Sequence, residues 1–156
     1  MDPQARLEEL GIELPAVARP VAAYIPSVRT GDLVYVSGQL PFVDGKLTTT
    51  GLVGRDVDVK EATELARTCA VNILAALKAQ VGDLRNVRRV VRVDGFVAAG
   101  PDFTQHPQVV NGASELLGDV FGAQGRHARI AVGVSSLPLG APVEIAATFE
   151  VERTKI

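Results

Sequence analysis

Two charged residues near the C-terminus have the types and the spacing to do chemistry together. In the run Gly125 to Glu150, GRHARIAVGVSSLPLGAPVEIAATFE, Arg129 alternates with Ile130, Val132 and Val134, and Glu144 alternates with Val143, Ile145, Ala147 and Phe149. Apolar residues at every second position on both sides of a Pro/Gly-rich turn predict a pair of strands. Successive strand side chains point to opposite faces, so both charged groups are expected on the face away from the Ile/Val/Phe stripe. There an arginine can grip a planar carboxylate through two parallel hydrogen bonds, and a glutamate beside it can orient or deprotonate a water. In the absence of a cleft, the same two residues are an ordinary surface pair of little energetic consequence.

Strands need partners and a helical layer, and the rest of the chain supplies them. Residues 4 to 10, QARLEEL, predict a short helix ended by Gly11, and Pro20 and Pro26 mark the next segment as an edge strand or extended run. LVYVSGQLP contributes a strand broken at Ser37-Gly38, and Asp44-Gly45 predicts the turn of a hairpin from about residue 40 to 47. Asp58 to Glu61 matches a capping box, and Ala62, Leu65, Cys69, Ile73 and Leu77 then recur at helical spacing until Gly82. A strand over 87–97 is expected, with Val91, Val93, Gly95 and Val97 on one face. A second helix opens after Gly100-Pro101-Asp102, with Pro107 in its first turn and Gly122 at its end. This order is not strict alternation and predicts an α+β sandwich with two helices packed on one face of the sheet.

Length and composition narrow the function classes. The 156 residues fit a single domain over 1–156, with residues 1–15 as an N-terminal extension. Residues are 47% apolar and 22% charged, and no apolar run approaches the ~20 residues of a membrane span. The N-terminus lacks the apolar core of a secretory signal, so a cytoplasmic location is expected. The single cysteine, Cys69, falls in a helical apolar pattern and reads as a core residue. No acid or further Cys/His stands at metal-ligand spacing around His106 or His127, so no metal is expected. Neither a phosphate-binding glycine motif nor a nucleophile elbow is present, so no cofactor is expected. Arg85, Arg88, Arg89 and Arg92 cluster, but the net charge is −2 and Trp is absent, so nucleic acid is not an expected partner.

Three blocks in order give the chain a resemblance to the YjgF/RidA family of enamine and imine deaminases. Tyr24 and the string Val36-Ser37-Gly38-Gln39-Leu40-Pro41 resemble its first strand and its S-G-Q-[IL]-P motif. Asn111 is similar to an asparagine of its second helix. Ala128-Arg129, Leu137-Pro138 and Val143-Glu144-Ile145 resemble its C-terminal signature. The resemblance implies a chorismate-mutase-like sandwich assembled as a homotrimer with interfacial sites, acting on a small carboxylate substrate without a cofactor. It also implies that Arg129 binds the substrate carboxylate, Glu144 positions the attacking water, Tyr24 borders the pocket, and Ser37 and Gly38 line it. One position departs: Ala131 stands where deaminases of the family carry a cysteine, on the pocket floor. That departure keeps a non-catalytic carboxylate-binding or regulatory trimer open as the alternative to 2-imino and 2-enamino acid hydrolysis. An endoribonuclease activity enters through the resemblance alone.

Overall fold

The computed structural model describes residues 2–17 and 22–153. Five strands form one sheet in the order β1-β2-β7-β5-β6, where β1 is Ser27–Thr30, β2 Leu33–Gln39, β5 Val87–Ala98, β6 Ala128–Val134 and β7 Val143–Val151. The short strands β3 (Phe42–Val43) and β4 (Lys46–Leu47) make a separate hairpin around Asp44-Gly45, both of which take positive φ as the tight turn requires. All pairings in the large sheet are antiparallel except β5 with β6, which are joined by the crossover a parallel pair needs. Three α-helices are α1 (Pro3–Glu9), α2 (Val59–Val81) and α3 (His106–Phe121), and α2 and α3 cover one face of the sheet. The fold is therefore a mixed-sheet α+β sandwich of the chorismate-mutase-like type.

The core lies between that helical layer and the sheet. On β7 the odd residues Val143 to Val151 are buried and the even ones, Glu144 to Glu150, half-exposed, as period 2 demands. Phe149, Ile145, Ile73, Leu74, Leu116 and Leu117 are fully buried, each worth about 1.5–3 kcal/mol relative to exposure. Cys69 lies among them, and burial pushes its thiol well above the ordinary range. Pro3 and Leu7 bring α1 into the same core, and Arg6 Nε donates to the Asp119 carbonyl of α3 at 3.0 Å. The N-terminal helix is thus part of the packing.

Several local expectations are corrected. On β5, Val93, Gly95 and Val97 are buried as expected, but irregularities in the pairing with β7 at Val87/Arg89 and Val90/Arg92 reset the alternation, burying Val87 and Val90 and leaving Val91 half-exposed. Asp58 caps α2 by accepting from the Glu61 amide at 2.8 Å, but Glu61 accepts from Thr49 Oγ1 at 2.8 Å instead of closing a reciprocal box. The second long helix begins at His106 with Pro107 in its first turn, as expected, after the turn at Pro101-Asp102. The expected edge run at Pro20 lies outside the described residues.

Candidate functional site

Arg129 and Glu144 occupy opposite faces of the sheet. On β6, Arg129 turns toward the helical layer: its Nη1 donates to Ser114 Oγ at 3.1 Å and its Nη2 to the Pro107 carbonyl at 3.2 Å, both on α3. Glu144 projects from the other face, opposite Phe96 in the β5/β7 register. Two strand spacings and three residue rises separate the two backbones, about 14 Å. The expectation of a shared surface is corrected, and the reason is the edge position of β6. Its apolar residues Ile130 and Val132 face the open side, 37% and 41% exposed, while Arg129, Ala131 and Gly133 face α3. There the His106 ring lies close over the strand: a Cβ on Gly133 would stand 2.6 Å from its Nε2 and would have to displace that ring. The apolar stripe of this edge strand points away from the core.

The helix-side locus is a groove of about 390 Å³ lined by Asn111, Ser114, Gly118, Gly125, Arg126, His127 and Arg129. That volume suits a small ligand. His127 Nδ1 lies 2.6 Å from the Gly125 carbonyl and Nε2 2.8 Å from Ser114 Oγ. Asn111 was legible through the family resemblance. Ser114 and His127 were missed as partners of Arg129, although His127 and Arg129, two apart on an extended segment, share a side by spacing alone.

The open-face locus gathers Ser37, Gly38 and Glu144. Between Val36 and Gln39 the pairing with β7 slips, so Ser37-Gly38 forms a bulge. A Cβ on Gly38 would lie 2.7 Å from Glu144 Oε1, so only glycine leaves the carboxylate room to lie over this backbone. Ser37 Oγ donates to the Ile25 carbonyl at 2.7 Å and its amide to the Pro26 carbonyl at 2.8 Å, tying the bulge to the segment that carries exposed Tyr24. Around them, Val28 and Tyr35 are each 48% exposed, so this face carries uncovered apolar area.

Burial raises the Glu144 carboxyl above its ordinary value. At acid pH the group is protonated in both folded and unfolded chains and costs nothing. As pH rises the unfolded chain ionises first, so native stability falls. Glu144→Gln is accordingly expected to raise Tm at neutral pH by a few degrees at most and to leave it unchanged near pH ~4. An equal shift at both pH values in thermal melts would show that the effect is not ionisation.

The fold and these two loci define a chorismate-mutase-like α+β protein with a groove at the sheet edge and a half-buried carboxylate on the open face. The chain belongs to the YjgF/RidA family: the family model described as "YjgF/chorismate_mutase-like, putative endoribonuclease" matches residues 4–148. It is similar to Atu1372 of Agrobacterium tumefaciens, a crystal structure of unknown function, at 52% identity and TM-score 0.90, covering 96% of this chain and 92% of that one. It is 46% identical over 147 residues to Protein TCP17 of Trypanosoma cruzi, covering 94% of this chain and 92% of the relative. RidA of an Antarctic Psychrobacter is similar at 26% identity and TM-score 0.61, covering 86% of this chain and 94% of that one.

Proposed function

We propose that this protein hydrolyses 2-imino or 2-enamino acids to 2-keto acids and ammonia, at sites completed between copies of the chain in a homotrimer. The observation that carries this reading is the division of the two charged groups between sheet faces in a chain of the YjgF/RidA family. Arg129 is fixed against α3 through one donor on each Nη, and its remaining donors are free to take a carboxylate from the groove. The water-positioning carboxylate, Glu144, cannot reach that substrate in the same chain. The uncovered apolar face around it is where a second copy would bring its own β6 edge. Enclosure between subunits lowers the effective dielectric and strengthens the arginine–carboxylate hydrogen bonds. Tyr24, Ser37 and Gly38 then wall the Glu144 side of the cleft, and Ala131 floors the Arg129 side, where it leaves more room than a cysteine.

The test is keto-acid release when a PLP-dependent dehydratase generates the enamine in a buffer where free hydrolysis is slow. Acceleration by the native protein is expected, and no acceleration overturns the reading. Binding of 2-ketobutyrate that needs Arg129, without turnover, would assign the protein instead to carboxylate binding alone. Light scattering is expected to give three times the chain mass. A concentration-independent particle of 16.4 kDa would remove the interfacial site.

Gly38→Ala is expected to leave the fold intact and displace Glu144. A misplacement of about 1 Å can cost up to ~10²-fold in rate. The expected signature is therefore a fall in kcat of at least ~10-fold with Tm changed by only a few degrees, measured in the same coupled assay.

A further inference from the structure

We propose that Ser114 and His127 form a nucleophile–base pair that cleaves small anionic acyl esters, a second activity that uses neither Glu144 nor a neighbouring chain. A carbonyl oxygen can only accept a hydrogen bond, so the 2.6 Å contact from Gly125 places the proton of a neutral His127 on Nδ1. Nε2 is then the bare acceptor, and the Ser114 hydroxyl 2.8 Å away donates to it. The same oxygen accepts from Arg129 Nη1 at 3.1 Å. One serine oxygen thus faces a base on one side and a fixed cation on the other. Those are the two influences that make an otherwise inert hydroxyl nucleophilic.

The surroundings complete the requirements for acyl transfer. The Gly125 carbonyl orients the base, and the Arg129 guanidinium, 3.1 Å from the attacking oxygen, is within reach of the oxyanion that forms on the acyl group that oxygen attacks. The pair opens onto the groove, where the space over Gly118 is open, since a Cβ there would meet nothing within 4 Å. The lining holds Arg126 and Arg129 and no carboxylate, and exposed Arg126 has no ion pair among the described residues. An acyl group bearing its own carboxylate is the matching substrate. No nucleophile elbow is involved, because the serine is presented from the body of α3.

In the reaction, Ser114 Oγ adds to the acyl carbon as its proton passes to His127 Nε2. The carbon–oxygen bond to the alcohol breaks, and the departing oxygen takes that proton. Water then adds to the acyl-serine, giving a proton to Nε2 as it attacks, and the proton returns to Ser114 as the acid leaves.

The test is covalent labelling of the full chain with diisopropyl fluorophosphate, followed by intact mass and peptide mapping. A single adduct on Ser114 is expected, absent in Ser114→Ala and formed at least ~10²-fold more slowly in His127→Gln, the share a general base contributes. Circular dichroism and Tm verify that both variants fold. No adduct on Ser114 in folded native protein, or equal labelling of native protein and His127→Gln, overturns the proposal. For the substrate class, 4-nitrophenyl hemisuccinate is expected to turn over faster than 4-nitrophenyl acetate, with the preference lost in Arg126→Ala. Equal rates in the native chain would refute the anionic specificity. Labelling needs no keto-acid release, so either activity can fail without the other.

Discussion

Protein carrying Arg129→Ala and protein carrying Glu144→Gln are each expected to lose ~10²–10⁴-fold in keto-acid release, while oligomers formed from both regain activity. The single losses follow from chemistry: one variant removes the carboxylate grip, the other the group that places water. The recovery follows from geometry. The two side chains leave the sheet on opposite faces, Arg129 bound to α3 and Glu144 lying over Gly38. A site that uses both must take them from different copies. Random mixing of the two variants then leaves about one interface in four with both groups intact. Co-refolding equal amounts and measuring keto acid per chain checks this. A mixture no more active than the better parent would mean that the two groups never meet across an interface.

Gly112→Ala is expected to destabilise the fold by about 3 kcal/mol or more, at the upper end of overpacking, and to lower Tm by roughly 6–12 °C. A Cβ at this position would stand 2.0 Å from the Thr63 carbonyl oxygen and 2.9 Å from its carbonyl carbon. That neighbour is helix backbone, so no rotamer change relieves the clash and α2 and α3 must separate. Thr63 Oγ1 also donates to the Gln108 carbonyl at 3.3 Å and would lose that bridge. Because α3 carries Asn111 and Ser114, separation of the helices also opens the groove. Gly118→Ala is the control: the same substitution on the same helix meets nothing within 4 Å and is expected to stabilise by about 0.5–1 kcal/mol. Chemical denaturation of both variants decides the matter, and equal effects would show that helix propensity, not the α2/α3 contact, sets the outcome.

Much of the architecture was legible because it rests on local signals. The Asp58 cap, the helical spacing from Ala62 to Leu77, the Asp44-Gly45 turn and the alternation of β7 each report interactions between residues close in the chain. The Ser37-Gly38 break was legible as a break in its own strand, but the group its glycine makes room for, Glu144, comes from a distant strand. The start of α3 was legible as well: Pro107 falls in its first turn and the helix begins at His106, whose ring packs edge-on against Phe103 at 5.1 Å.

The sequence by itself determined the element order and the α+β class. It also determined that Arg129 and Glu144 stand on alternating strands, because period 2 is a property of one strand's backbone. Which way each strand's two faces point was decided only by the tertiary structure. β7 lies in mid-sheet and sends its apolar stripe to the helices. β6 lies at the edge, where α3 covers the face carrying Arg129, Ala131 and Gly133, and Arg129 hydrogen-bonds to that helix. Its Ile and Val side chains are turned outward, and Arg129 is turned inward to Ser114 and His127. Alternation gives two faces but not their sign, and the sign comes from what packs against each face.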